Sequence, residues 1–337
     1  MRSPRLIAIA SLLATGSLLL AGCGGDEKKA ETEEPEATKS VAAVPETWPL
    51  TGLPVPDGEA AAQEHPVMVL KMDNSSSSAP QLGLGAADLV VEELVEGGST
   101  RLAVFYYSDL PGNVGPVRSM RASDIGIVSP VDAAMVTSGA APVTINRIKD
   151  AGITFFPEGS KGFYRDDSRS APYNLFTKMS ATATKAELDE ATRPDDYLPW
   201  GEEGDLPQGQ PAKTIAASFS GGHTTNWTFT DGGYVKENTF AADGDHFPAD
   251  TVLVLRVKVG DAGYLDPAGN PVPETKFEGT GSAMVFHGGR LVRGTWTKSS
   301  LEAPLELSTQ AGDLTIPAGH VWIELVPQDG GDVTFTK

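Results

Sequence analysis

Apolar residues alternate with polar ones along most of this chain, and the helical spacing of three and four is rare. Residues 65–73 (HPVMVLKMD) read as a strand running into the polar loop 74–80. Residues 88–96 form a second β-rich run stopped by Gly97-Gly98, and residues 101–107 (RLAVFYY) form a third. Two such runs about a glycine pair predict a hairpin. Short helices are expected over 121–128 and 143–151, with a buried strand over 133–137 between them and a longer helix over 180–191. Strands interleaved with helices make this half a mixed α/β domain. The pattern breaks at 192–213, where four prolines and several acids stand together. Beyond it, period-two runs at 225–230, 251–259, 282–286, 291–296, 305–308 and 321–326 are separated by Gly, Pro, Asp or Asn. That reads as a mainly-β unit of sandwich or barrel type. The expected fold class is therefore mixed α/β followed by mainly β, with domains over 48–192 and 214–337 and a linker over 193–213.

The first residues follow a different rule. Arg2 and Arg5 precede an apolar stretch over 6–20 that is too short and wrongly flanked to span a membrane. This is the pattern of a secretory signal peptide, residues 1–22. Leu20-Ala21-Gly22-Cys23 resembles the bacterial lipobox, in which the cysteine sulfur receives a diacylglyceryl group and becomes the new N-terminus. Two or three acyl chains anchor stably, at roughly 0.8 kcal/mol per buried methylene. Cys23 is the one cysteine of the chain, so an intrachain disulfide, a thiolate metal site and a cysteine nucleophile are all excluded. Residues 23–47 contain DEKKAETEEPEATKS, have no apolar periodicity, and are expected to form an acidic, disordered tether. The expected address is the outer face of the cytoplasmic membrane, with the membrane as a partner through the N-terminal lipid.

Charge narrows the partners. The formal net charge is −19, and loss of Arg2 and Arg5 with the signal peptide takes it to about −21. Such a balance argues against nucleic acid or anionic lipid as a surface-wide partner. The five histidines (His65, His223, His246, His287, His320) show no metal-pair spacing. Asp231, Asp243 and Asp245 stand in glycine-containing loops without the twelve-residue calcium signature, so no metal and no cofactor is expected.

Against this acidic background arginines gather in short stretches. In the run VVEELVEGGSTR, which ends at Arg101, an extended strand would put Glu92 and Glu96 on one face about 13 Å apart. That exceeds the roughly 5–9.5 Å of a glycosidase pair, although either could pair with Asp73 on a neighbouring strand. Arg118 and Arg121 follow Gly115-Pro116 at a spacing that shares one face of a helix. Arg165 and Arg169 flank Asp166 in the run YRDDSRSAPYN, which ends at Asn174. A guanidinium is always charged and its planar fork suits carboxylate or phosphate. The same arginines could instead serve as internal bridges to Glu92, Glu96 and Asp166.

In order along the chain, Asp73-Asn74, the run from Ala87-Asp88 to Arg101, GPVRSMR from Gly115 to Arg121, and YRDDSRSAPYNL from Tyr164 to Leu175 are similar to the motifs of the YerB-like lipoproteins, whose two halves are the DUF3048 domains. GTGSAMVFHGG from Gly279, GTWTK from Gly294 and PAGHVWIELVP from Pro317 extend the resemblance, which covers about residues 49–330. Two positions depart from it. Many members carry histidine where this chain has Thr137 and Tyr173, so a mechanism built on either histidine is not available here.

Three functional readings follow. In the first, Arg101, Arg118, Arg121, Arg165 and Arg169, with Asn74 and Asn174, line a pocket for an anionic cell-envelope ligand: a glycan, a peptide carboxylate or a phosphate. In the second, Glu96 or Asp73 acts as general acid or base of a cell-wall hydrolase or transferase, Glu92 orients an arginine, and Asp166 is a further catalytic candidate. In the third, the polar clusters are a buried network of a structural or partner-docking lipoprotein.

Overall fold

The computed structural model describes residues 46–337; the expected signal peptide, Cys23 and the tether up to residue 45 lie outside the described residues. Fourteen strands suffice to define the architecture. In the N-terminal half they are β1 (Met68–Asp73), β2 (Leu89–Leu94), β3 (Thr100–Tyr106), β4 (Ala134–Val136) and β5 (Phe155–Phe156). In the C-terminal half they are β6 (Thr214–Ser220), β7 (His223–Thr230), β8 (Gly233–Lys236), β9 (Thr251–Leu265), β10 (Gly279–His287), β11 (Arg290–Lys298), β12 (Glu306–Thr309), β13 (Val321–Pro327) and β14 (Asp332–Thr336). The mixed N-terminal half and strand-rich C-terminal half agree with the sequence pattern.

The two halves nevertheless share one sheet. Its strands run β12-β11-β10-β9-β13-β2-β3-β1-β4-β5. β13, the penultimate strand in sequence, lies parallel to β9 on one side and parallel to β2 on the other, with Val91 opposite Ile323 and Glu92 opposite Glu324. The described residues, 46–337, form one compact unit. The division expected at 193–213 is therefore a division of sequence, not of the folded body. That stretch is itself packed: buried Tyr197 donates its hydroxyl to the carbonyl of Ile127 at 2.9 Å, and Trp200-Gly201 pairs with Ile316-Pro317.

Alternation along the strands makes two cores, one on each face of this sheet. Val69, Val91, Phe105 and Ile323 pack on the first face with Ile125 and Val128 of α1 (Asp124–Val128) and Ile148 of α2 (Pro142–Asp150). Leu70, Val90, Val104 and Trp322 pack on the second face. They meet a second sheet of order β8-β7-β6-β14, which supplies Ile215, Phe219 and Trp227. Central strands buried on both faces explain why β13 reads VWIELVP rather than alternating cleanly.

Two helix expectations shorten. α1 begins at Asp124 because Asp124 Oδ2 accepts the Arg121 amide at 2.6 Å, which stops the chain before it. The helix expected over 180–191 covers only α3 (Met179–Ala183). Beyond it, the Leu188 and Thr192 amides donate to the carbonyls of Glu64 and Gln63, so these backbone groups serve the N-terminal segment instead of another helical turn.

If β13 unites the halves, Ile323→Ala, fully buried between β2 and β9, should cost about 2–5 kcal/mol. Urea unfolding followed by tryptophan fluorescence and by far-UV circular dichroism should give one shared transition. Two separated transitions would mean that the halves fold independently.

Candidate anion site and its buried supports

At one end of β1, β2 and β3 the sheet stops being apolar, on both faces. On the first face, following Val69, come Lys71 and Asp73 from β1, Glu93 from β2 and Arg101 from β3; Glu93 and Asp73 lie on either side of Arg101 in register. Lys71 is fully buried and contacts Glu93 and, at 2.6 Å, Asp124. Burial drives the Glu93 carboxyl upward, Lys71 opposes, and the charge of Asp124 raises it further. A buried cation shared by two acids holds α1 against the sheet. Removing one member of such a set costs about 3–5 kcal/mol because an uncompensated charge is left behind.

Three guanidinium groups gather beside this triad. Arg118 donates from Nη1 to Asp73 at 2.8 Å, and Arg121 grips Glu96 through Nε at 3.0 Å and through Nη2. Arg101 is different. Its Nη1 donates to the carbonyl of Ser119 at 3.0 Å, yet no carboxylate lies within ion-pair distance among the described residues. Its Nε and Nη2 have no hydrogen-bond partner among the described residues and are absent from the sealed, unpartnered atoms. Burial, then the like charge of Arg121, pushes the Arg101 guanidinium down to about 10, with Arg118 adding to the effect and Glu96 and Asp73 opposing. Of these three guanidiniums, Arg101 is the one without a carboxylate in contact.

The chain reaches this arrangement by a route that differs from the sequence expectation. β2 ends at Leu94, and Gly97 and Gly98 at φ +69° and +73° turn the backbone, so Glu96 leaves the face of Glu92 and meets Arg121. Arg118 and Arg121 share no helix: the Arg118 amide donates to the Lys71 carbonyl at 2.8 Å, and α1 starts later. Arg165 and Arg169 have other partners. Arg165 pairs with Glu158 at 2.7 Å and with Asn174 Oδ1 at 2.5 Å. Arg169 bonds the carbonyls of Ser78, Pro80 and Tyr173 and stacks 4.9 Å from the Phe176 ring centre. Both arginines pin loops. Asp166 caps its own turn by accepting the Ser168 amide and hydroxyl, and stands 3.9 Å from Arg169. Tyr173 links the two groups, carrying Arg118 over its ring at 5.1 Å.

The second face carries a separate polar cluster. Glu92, fully buried, accepts from Asn74 at 2.9 Å, Thr100 at 2.7 Å and Thr225 at 3.0 Å, with His223 Nε2 at 2.8 Å. Burial alone would raise it, but the Lys236 charge and the His223 and Thr100 contacts outweigh burial and hold it down at about 2. Its neighbour in register is Glu324, also fully buried, which accepts the Trp227 indole N–H at 2.8 Å. Burial, then the Glu92 charge, pushes Glu324 well above the usual carboxylate range, so it is the protonated partner. Sequence reasoning missed Glu324; the signal was a lone acid inside an apolar strand, and only the β2–β13 pairing shows what it meets.

These surroundings limit acid–base chemistry. His223 touches Glu92, Thr100 and Thr225 through Nε2 alone, whereas a relay to a nucleophile needs both ring nitrogens. Glu96, despite the opposing effect of burial, is held below its ordinary value by Arg121. Glu92 is sealed and Asp73 is ion-paired. The arrangement favours holding an anion over moving a proton.

Two family profiles match this chain: "Protein of unknown function (DUF3048) N-terminal domain" over residues 50–192 and "Protein of unknown function (DUF3048) C-terminal domain" over residues 215–323. The chain is 25% identical over 308 residues to "Putative lipoprotein YerB" of Bacillus subtilis (strain 168), covering 85% of this chain and 89% of that protein. The crystal structure of YerB from Bacillus subtilis aligns with a TM-score of 0.69 at 20% identity, over 86% of this chain and 99% of that one, which shows a common fold.

The acid pair gives a signed pH dependence. The folded value of Glu324 lies above its unfolded one, so the stability tied to its neutral form is complete below about pH 4.5 and is lost as pH rises through the folded value. Glu324→Gln keeps the shape and removes the titration. Urea midpoints measured at about pH 6 and about pH 9 should fall more for the wild type than for this variant. Parallel curves would show that Glu324 is not the group that titrates.

Proposed function

This chain belongs to the DUF3048 family, and on that premise we propose that it is a lipid-anchored extracytoplasmic protein that binds an anionic cell-envelope group at Arg101, Arg118 and Arg121. The observation that carries this reading is Arg101: a mostly buried guanidinium with no carboxylate of its own, pressed by two others, with nitrogens still open to water. A buried cation without a counter-ion is costly, and an incoming carboxylate or phosphate offsets that cost with bidentate, charge-assisted hydrogen bonds. In a chain of net charge −19, such a locus is selective by contrast with its surroundings.

The N-terminal pattern gives the address. Processing at Cys23 would leave the chain on the outer face of the membrane, with residues 23–45 as an acidic spacer that keeps the folded body clear of anionic headgroups. The relative named as a lipoprotein supports this placement. A glycan carboxylate, a peptide carboxylate and a polymer phosphate all meet the same fork geometry.

Arg101→Gln separates binding from folding, because it strands no carboxylate; its effect on stability should stay within about 1 kcal/mol. Arg121→Gln leaves Glu96 without its partner and should cost about 1–3 kcal/mol. Retention on purified cell-wall material should be lost in Arg101→Gln. Phosphate-stripped and carboxyl-amidated wall then identify the group bound. If Arg101→Gln is retained as well as the wild type, the arginine cluster is not the binding site.

A further inference from the structure

The three guanidinium groups carry the same fork in different states. An arginine chelates an oxyanion side-on through Nε and Nη2, whose N–H bonds run parallel. In Arg121 that fork is filled by the two oxygens of Glu96. Arg118 uses only Nη1, on Asp73, and Arg101 uses only Nη1, on the carbonyl of Ser119. The Nε–Nη2 forks of Arg118 and Arg101 have no hydrogen-bond partner among the described residues. None of these four nitrogens is among the sealed, unpartnered atoms. The two open forks belong to one locus. Asp73, which takes Arg118, is the cross-strand neighbour of Arg101, and Ser119, whose carbonyl takes Arg101, follows Arg118 in the chain. Each group is already held in place: Arg118 by Asp73 and by the Tyr173 ring, 5.1 Å away, and Arg101 by Ser119 and by burial. Little orientational freedom is left for a ligand to remove.

Two forks at one locus ask for more oxygens than a carboxylate has. A carboxylate offers one parallel pair of lone pairs, which one fork fills, as Glu96 does with Arg121; its remaining lone pairs diverge and cannot be chelated by a second fork. A phosphodiester, with two unesterified oxygens, likewise offers one O–P–O edge. A terminal phosphate carries three such oxygens at tetrahedral angles, hence three edges, and two forks can take different ones. We propose that Arg101 and Arg118 together hold a terminal phosphate group, a phosphomonoester, each fork chelating one O–P–O edge. This rests on the reading of the arginine cluster as an anion site, and adds to it the class of ligand. The charge of such a group, about −1.5 to −2 near neutral pH, suits two cations better than one.

The test is calorimetric titration of the mature chain with methyl phosphate, dimethyl phosphate and acetate at one ionic strength. Methyl phosphate binds at least about tenfold more tightly than either of the others. Arg118→Lys keeps a cation for Asp73 but loses the fork, and brings methyl phosphate to within about threefold of acetate. Arg101→Gln loses all three. Displacement of methyl phosphate by inorganic phosphate marks the ligand as a soluble phosphate, and displacement by vesicles of phosphatidic acid in phosphatidylcholine marks it as a lipid headgroup; either upholds the terminal phosphate. Equal affinity for the three anions, lost in Arg101→Gln, overturns the paired-fork site and leaves the arginine reading standing. No binding of any of them overturns both. Because the ligand series uses the unaltered protein, a destabilised Arg118→Lys cannot decide the outcome.

Discussion

The parallel pairing of β13 with β2 is the constraint on which the rest of this structure depends. It brings the penultimate strand of the chain into the middle of a sheet begun by the N-terminal half, and sets Glu92 beside Glu324, both fully buried. Two adjacent buried acids do not readily both ionise, and burial with the Glu92 charge pushes Glu324 up while Lys236, His223 and Thr100 hold Glu92 down. Around that pair the protein spends its neutral donors, Asn74, Thr100, Thr225 and the Trp227 indole, and one cation, Lys236. Contributions come from both family halves, so the network forms only when the two are docked.

The opposite face of the same strands solves the same problem with charge. Lys71 satisfies Glu93 and Asp124, Arg118 satisfies Asp73, and Arg121 satisfies Glu96. One guanidinium is left over. A semi-buried guanidinium with no carboxylate in contact serves little purpose in a scaffold, where a neutral residue would pack at lower cost. It has a clear use where an anion must be captured. The turn made by Gly97 and Gly98 is what delivers Glu96 to Arg121 instead of Arg101, and so leaves Arg101 open.

Much of this was legible along the chain. Period-two alternation located the strands from β1 to β3 and most of those after residue 214, and three of the arginines in the motifs, Arg101, Arg118 and Arg121, lie together at one end of β1 to β3. Arg165 and Arg169 were grouped with Arg118 and Arg121 because they look alike in sequence. Their partners, Glu158 and the carbonyls of Ser78 and Pro80, come from loop geometry that spacing does not encode. Likewise the helix expected over 180–191 had suitable composition, but the amides of Leu188 and Thr192 found acceptors in residues 63–64.

The sequence by itself determined the address pattern at Cys23, the acidic balance, the two classes of secondary structure and the identity of Arg101, Arg118 and Arg121 as chemistry held in short motifs. All of these are local or compositional properties. Only the tertiary structure decided that the halves share one sheet, that Glu324 meets Glu92, and that, of Arg101, Arg118 and Arg121, Arg101 is the one with no carboxylate in contact among the described residues. Each of those depends on which strand lies beside which, and strand order is fixed by burial and pairing between residues more than two hundred positions apart, a separation across which local pattern carries no information.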